Sequence, residues 1–362
     1  MSPTVSTASA VSTASTVSKK AVSPLWVVVC VLAAAALVQL LLVSRVAVGG
    51  LYKHFCMREL DLGARYGRGS WVAITGASGG QGRAFAVQFA RRGFNLVLIG
   101  SPRVHSVRAA IEAHLEAPRT RVLCVVKDFR RSFEPRFFDE IERVLRSVDL
   151  AVLVNNVGHR VGWRPYHEMD PAKIADVVAV GAITQARMTH IVAPMFLERT
   201  RRTSMRCALV NVTAQCMHPN VFPGVGDNAI SVPYLSVYEA TNAFGFYHSG
   251  SIHKEYGAAF DVLTVTPGAV VTENTPFLRG TVFAVPCDVF VANVLRMLGN
   301  VQGATYAHWG HALSAYVIGL IPGAKDRVLR DVGESIARDC MTRSQHAPPS
   351  SPLKSRARSV LP

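Results

Sequence analysis

A glycine-rich run directly follows the first predicted strand, Trp71 to Ile74. It reads Thr75-Gly76-Ala77-Ser78-Gly79-Gly80-Gln81-Gly82 and opens a helical pattern that continues to about Arg92. Gly76 permits a tight turn, Gly80 lets backbone amides approach a diphosphate, and Gly82 lets the helix pack on the strand. The helix N-terminus favours negative charge. The run predicts a nucleotide site that includes Ser78 and Gln81, with a plain loop as the alternative.

The end of the second predicted strand, Asn95 to Ile99, bears on which nucleotide is bound. There the chain reads Gly100-Ser101-Pro102-Arg103, with no carboxylate to bind ribose hydroxyls. An arginine at this place would accommodate a 2′-phosphate. We therefore expect NADP(H) rather than NAD(H), although Arg103 could instead be a solvated loop cation.

Short β-branched runs alternate with longer amphipathic stretches after Gly69. This order is typical of a Rossmann-like, doubly wound parallel sheet of the α/β class, with helices on both faces. Asp170-Pro171 and Pro286 mark helix starts. The predicted strands are Trp71 to Ile74, Asn95 to Ile99, Arg121 to Val126, Leu150 to Val154, Cys207 to Val212 and Asp261 to Thr266.

The chain before this domain has two parts. Residues 1–23 are rich in Ser and Thr and predict a disordered tail. Residues 24–47 include the apolar stretch Leu25 to Val43, which predicts one N-terminal transmembrane helix rather than a core helix or cleaved signal peptide. Residues 48–69 would be a linker, residues 70–332 the folded domain, and residues 333–362 a disordered basic tail.

Composition limits the partners. The net charge is +15, but the basic residues are dispersed and flank apolar segments, so a membrane surface is expected and nucleic acid is not. Seven cysteines without a CxxC pair favour a reducing compartment. His308 and His311 share a helical face without an acid or cysteine nearby, and no metal site is predicted.

Together these motifs resemble the short-chain dehydrogenase/reductase family over about 200 residues. The other motifs that carry the resemblance are Asp128, Asn155-Asn156-Val157-Gly158, Tyr238, and Pro267-Gly268 through Thr272. The resemblance implies that Asp128 contacts the adenine, that Asn155 belongs to a turn beside the cofactor, and that Thr272 meets the nicotinamide amide.

Within the family the chain is most similar to the microsomal very-long-chain 3-oxoacyl-CoA reductases and their 17β-hydroxysteroid dehydrogenase relatives. Arg65-Tyr66-Gly67, Val157 and the run from Tyr306 to Leu313 carry this likeness. It implies an acyl-CoA or sterol-like substrate, possible elongation-complex partners, and the endoplasmic reticulum membrane. The basic residues after the apolar stretch predict a cytosolic domain. The apolar segment Thr305 to Pro322 could roof a pocket, lie among lipid headgroups, or close the core.

The family's catalytic side chains are mostly replaced. The resemblance implies Asn, Ser, Tyr and Lys, of which Tyr238 alone is at its matching position, with Asn242 where Lys is expected. Ala214 occupies the Ser position with Thr213 beside it as a candidate, and Gly181 occupies the Asn position. An insertion from His218 to Val232 loosens the Ser register.

Two functions remain open at this point. One is an NADP(H)-dependent 3-oxoacyl-CoA reductase with weakened or altered catalysis. The other is an inactive relative that binds nucleotide or acyl-CoA as a scaffold in a membrane complex.

Overall fold

A seven-stranded parallel sheet forms the centre of the domain. The computed structural model describes residues 24–114, 120–159, 162–215, 232–273, 275, 278–280, 283–320 and separate positions between 327 and 338. The strand order is β3-β2-β1-β4-β5-β6-β9. A two-stranded parallel ladder, β7 with β8, lies beside it. The strands are β1 Trp71–Thr75, β2 Asn95–Gly100, β3 Val122–Val126, β4 Leu150–Asn155, β5 Ala208–Val212, β6 Asp261–Val265, β7 Val270–Val271, β8 Val285–Pro286 and β9 Gly303–Thr305.

Helices cover both faces of the sheet. Val72 and Ile74 pack into one core with α3, α4 and α9, whereas Ala73 between them packs into a second core with α5 and α7. This confirms the predicted doubly wound fold. The α-helices are α1 Pro24–Leu51, α2 Leu62–Tyr66, α3 Gly80–Arg91, α4 Val104–His114, α5 Asp139–Arg146, α6 Pro171–Val178, α7 Thr184–Thr203, α8 Ser236–Tyr256, α9 Cys287–Met297 and α10 Trp309–Leu320.

The segment predicted as a linker is folded onto the sheet. Arg65 and Arg206 both form ion pairs with Asp261, whose side chain is 1% exposed. The Tyr66 hydroxyl donates to the same carboxylate at 2.8 Å. Because a buried carboxylate must be paired, this cluster fastens α2 to the start of β6. The Arg65-Tyr66 pair therefore has a structural role.

The N-terminal helix is one long apolar segment. Helical conformation continues from Pro24 to Cys56 without a buried residue in α1. By length and composition it could cross a membrane. The predicted tail at residues 1–23 lies outside the described residues.

The structure differs from the predicted elements in two places. The sheet has a seventh strand, β9, whose three residues are too few to show a periodicity. Residues 333–335, 337 and 338, within the segment predicted as a disordered tail, are helical in the structure, and Ala337 is buried. Small apolar side chains such as Ala337 allow the chain to pack there despite its polar composition. Most of the 218–232 insertion, and the tail after 338, lie outside the described residues.

Candidate active site

The glycine-rich turn is packed too closely for side chains. A Cβ on Gly82 would lie 2.2 Å from the Gly76 carbonyl oxygen, and Gly76 has φ +67°. Gly80 has φ +54° and begins α3. The buried side-chain oxygen of Gln81 has no hydrogen-bond partner. The first N–H groups of α3 have no intrahelical acceptor and can donate to a dinucleotide phosphate beside the turn, whereas the Gln81 oxygen is itself an acceptor and cannot bind a phosphate oxygen.

The turn is fixed against the end of β2. The Ser78 hydroxyl accepts a hydrogen bond from the Ser101 backbone N–H at 3.2 Å. A Cβ on Gly100 would come 2.7 Å from the same hydroxyl. The Ser101 hydroxyl is buried and unpartnered, whereas the Arg103 side chain is exposed. Donor capacity is thus available where an adenosine ribose is expected.

The two adjacent asparagines after β4 have different roles. The Asn155 side chain is buried and donates to Asn211 at 2.9 Å, bracing β4 against β5. The Asn156 amide instead donates to the Thr75 carbonyl at 3.1 Å, and its backbone N–H donates to the Thr75 hydroxyl. Asn156 belongs to the motif found in the sequence, but the sequence assigned it no role of its own.

The segment after β6 crosses the glycine-rich turn. A Cβ on Gly80 would lie 3.6 Å from Thr272, and one on Gly79 would lie 3.6 Å from the Glu273 carboxylate. Glu273 is paired with Arg83 at 3.2 Å. The fold therefore brings Thr272 to the turn, together with an ion pair that the sequence did not reveal, and the contact of Thr272 with a nicotinamide amide stays a prediction.

His311 of α10 supports the Pro267-Gly268 segment. Its Nε2 lies 3.1 Å from the Ala269 carbonyl oxygen, and a Cβ on Gly268 would lie 3.0 Å from its ring. Burial lowers the pKa of His311 to about 4, so the ring is neutral and can donate one N–H to Ala269. The Gln215 N–H donates to the Pro267 carbonyl at 3.0 Å.

Asp128 caps a short helical turn after β3. Its carboxylate accepts from the Arg130 backbone N–H at 3.1 Å and pairs with the Arg130 guanidinium. The hydrogen bonds from Arg130 hold the pKa of Asp128 below its usual range. If Asp128 contacts the adenine as predicted, it must do so while it remains paired with Arg130.

Tyr238 lies in the first turn of α8 and is half-buried. Its carbonyl oxygen accepts hydrogen bonds from the Asn242 amide and the Thr241 hydroxyl, each at 2.8 Å. The Asn242 donor is thus directed to its own helix. It places no positive charge near the phenol, in contrast to a lysine at the same position.

The surroundings of Gly181 and the hydroxyl of Thr213 are both occupied by contacts within the protein. A Cβ on Gly181 would lie 2.7 Å from the Thr241 hydroxyl, so Thr241 fills the space beside it. The Thr213 hydroxyl donates to the Val265 carbonyl at 3.2 Å, and its methyl faces Gly245. Thr213 therefore braces β5 against β6, and these contacts do not direct its hydroxyl toward a substrate.

Glu239, the residue after Tyr238, was not singled out from the sequence. Both of its carboxylate oxygens accept from the Val232 backbone N–H at 3.0 Å. Burial raises its pKa to about 7, with the Val232 hydrogen bond opposing the shift. A carboxyl with a pKa near neutrality is thus the next residue after Tyr238 in the sequence. Its burial could not be predicted from the neighbouring residues.

No cluster of three or more metal-ligating side chains occurs among the residues that the structure describes. The arrangement can bind a dinucleotide along the turn and offer a phenol as a proton donor.

Several known proteins are similar to this chain in sequence or fold. A very-long-chain 3-oxoacyl-CoA reductase from Bos taurus is 29% identical over 262 residues, covering 70% of this chain and 76% of that protein. A hydroxysteroid dehydrogenase-like protein 1 from Gallus gallus is 27% identical, covering 70% and 72%. A solved short-chain dehydrogenase from Sphingobium yanoikuyae in complex with NADPH is 25% identical, with a TM-score of 0.53 and coverage of 69% and 94%. The short chain dehydrogenase family model matches residues 70–281, and the chain therefore belongs to the short-chain dehydrogenase family.

Proposed function

We propose that the protein is an NADP(H)-dependent oxidoreductase of lipid metabolism that reduces 3-oxoacyl-CoA with weakened or altered catalysis. The proposal depends chiefly on one contrast: the phosphate-binding turn is intact, whereas Asn242 replaces the cation expected near Tyr238. The names of the similar reductases support the substrate class. The long apolar helix supports attachment to a membrane, for which we propose the endoplasmic reticulum with the domain on the cytosolic side.

The proposed chemistry divides between cofactor and protein. A bound nicotinamide would supply the hydride, held by Gly76 to Gly82, Pro267-Gly268 and Thr272. The Tyr238 hydroxyl would donate the proton to the substrate oxygen. A neutral phenol can donate its proton, but without a neighbouring cation to favour the phenolate it seldom acts as a base. Reduction is therefore expected to be retained far better than alcohol oxidation.

Selection of NADP(H) follows from charge. Arg103 is exposed at the start of α4, and the end of β2 carries no carboxylate. A 2′-phosphate would gain attraction from Arg103 without facing a like charge.

A second candidate is an inactive scaffold that binds nucleotide or acyl-CoA within a membrane complex. The observation favouring it is that the Asn242, Thr241 and Thr213 side chains are each hydrogen-bonded within the fold. Elongation-complex proteins would be the partners, and a sterol-like lipid remains an alternative ligand.

Cofactor titration followed by turnover distinguishes the two. Purified, detergent-solubilised full chain is titrated with NADPH and NADH by fluorescence, and 3-oxoacyl-CoA is then added. We expect tighter NADPH binding and slow reduction that disappears in Tyr238→Phe. Tight binding with no reduction in wild type would favour the scaffold, and failure to bind either nucleotide would exclude the reductase and leave only an acyl-CoA-binding scaffold.

A further inference from the structure

Four large apolar side chains form an exposed patch where α10 meets the segment after α1. The exposed fractions are 58% for Tyr52, 61% for Phe55, 43% for Trp309 and 44% for Leu313. The Phe55 and Trp309 rings lie 6.5 Å apart between centroids. Trp309 and Leu313 are four residues apart in one helix and hence share a face. Tyr52, Phe55, Trp309 and Leu313 are called the aromatic patch below.

The patch has the composition of a lipid interface. Tyrosine and tryptophan prefer the level of the headgroups because their rings are amphipathic. The α10 sequence, Trp309–Leu320, contains no Asp, Glu, Lys or Arg. A protein-binding face of this size would ordinarily carry a charged rim, whereas a helix lying in a membrane surface buries such an apolar stripe.

The length of α1 supports a lipid bilayer as the surface that the patch contacts. Its 28 residues, Pro24–Leu51, correspond to about 42 Å at about 1.5 Å per residue. A bilayer measures about 40–45 Å with its headgroups. Tyr52 directly follows α1, so the patch begins where the chain would leave the membrane.

The patch is fixed to the domain rather than loosely tethered. The Lys53 ammonium donates to the Thr305 hydroxyl at 2.7 Å, and His54 between Lys53 and Phe55 is buried. On the other side of α10, His311 contacts the Ala269 carbonyl of the segment proposed to meet the nicotinamide. One helix thus connects the exposed patch to the candidate site.

We propose that the aromatic patch seats the domain in the headgroup region of the bilayer that carries α1. The inference depends on the proposed membrane attachment and deepens it. It places the Pro267 to Ala269 segment one helix width from lipid, so an acyl chain could reach the site from the membrane surface.

Lipid-dependent quenching of Trp309 tests the docking. The full chain, with Trp26→Phe to remove the tryptophan in α1, is placed in phosphatidylcholine vesicles containing lipids brominated on the acyl chain. The Trp309 signal is the difference between this protein and the same protein with Trp309→Phe. We expect strong quenching, strongest with bromines near the headgroup end. Leu313→Trp in the Trp309→Phe protein should be quenched similarly.

The matched control moves the reporter to the other edge of the sheet. Leu123 is 38% exposed on β3, at the edge opposite β9. Leu123→Trp in the Trp309→Phe protein should not be quenched. If the protein floats with the vesicles but tryptophan at neither position 309 nor position 313 is quenched, the proposed seating of the aromatic patch is wrong and membrane attachment through α1 is retained. If the protein does not float with vesicles, both proposals are wrong.

Discussion

The glycine-rich turn and the first turns of α8 differ in what fills the space around them. At the turn, Gly82 is packed so closely that a methyl group would overlap the Gly76 carbonyl. At α8, Gly181 leaves room that Thr241 occupies, and Asn242 bonds to its own helix. The first region has a shape that serves an external ligand, whereas the second satisfies its polar groups internally. The proposed cofactor binding therefore depends on the shape of the turn, whereas the proposed proton transfer depends on Tyr238 without help from the side chains around it.

The largest expected effect comes from restoring a cation in α8. Asn242→Lys should lower the Tyr238 pKa and add a ligand for the cofactor ribose, because a nearby positive charge favours the phenolate. Since one preorganised donor contributes about a hundredfold to a thousandfold, turnover of 3-oxoacyl-CoA should rise by up to about a hundredfold. Adding Ala214→Ser should raise it further than either change alone.

Steady-state rates with NADPH measure this prediction. Asn242→Gln, which retains the amide without a charge, is the matched control. If the wild type is already fast and Asn242→Lys slows it, the site has been rebuilt around asparagine and the contrast with the turn disappears. A double variant that binds NADPH yet reduces nothing favours the scaffold.

The second-largest expected effect is weaker nucleotide binding in Gly82→Ala. The new Cβ would meet the Gly76 oxygen at 2.2 Å, which forces the turn or α3 to move. Overpacking of this kind costs about 1–3 kcal/mol, equivalent to roughly 5-fold to 150-fold in NADPH affinity if the bound form bears it. Fluorescence titration gives the affinity, and thermal unfolding gives the stability.

Gly250→Ala is the control for the glycine substitution itself. Gly250 is inside α8 with nothing within 4 Å of its added Cβ. Alanine there should stabilise the helix by about 0.5–1 kcal/mol and leave NADPH binding unchanged. Equal affinities for wild type and Gly82→Ala would mean that the turn is not the nucleotide site.

The third prediction concerns the space beside Gly181, which the Thr241 side chain fills. Gly181→Asn should lower the free energy of unfolding by about 1–3 kcal/mol, because its Cβ would lie 2.7 Å from the Thr241 hydroxyl. Thr241→Ala in the same chain should recover part of that loss. Denaturant unfolding of the four proteins gives the coupling energy. Purely additive effects would show that Thr241 does not occupy the place of the missing side chain.

The sequence predicted the strands of the central sheet better than the contacts between side chains. Continuous β-branched runs identified six strands of the central sheet because parallel strands buried on both faces are apolar throughout. β9 was missed because three residues carry no period. The contacts of Asn156 and Thr241 could not be predicted, since hydrogen bonds between segments that are distant in sequence depend on how α8 and β4 pack. The predicted roles of Arg103 and Asp128 toward a cofactor stay predictions.

A smaller effect is expected at the ribose end of the turn. Arg103→Glu should weaken NADPH binding by up to about fivefold and leave NADH binding little changed, since an exposed charge contributes about 1 kcal/mol or less in water. Parallel titrations at low and high salt measure it. Arg91→Glu, on the last turn of α3, is the control for net charge. Unchanged preference in Arg103→Glu would make Arg103 a solvated cation.

The smallest expected effect is a pH dependence from Glu239, on the α8 side of the comparison. Its pKa is raised from 4.5 to about 7 by burial, so the folded protein holds a proton that the unfolded chain releases. The stability from this group is therefore complete below pH 4.5 and is lost as the pH rises through about 7. After its partial exposure is allowed for, the loss of stability is on the order of 1 kcal/mol.

Glu239→Gln keeps an acceptor for the Val232 N–H but cannot titrate, so its unfolding free energy should vary less with pH over this range. Urea unfolding at several pH values gives the difference between the two proteins, in which other titrating groups cancel. Glu198→Gln, on the exposed face of α7, should behave as the wild type. Parallel pH profiles for wild type and Glu239→Gln would show that the carboxyl is solvated, and that α8 tolerates a full charge beside Tyr238.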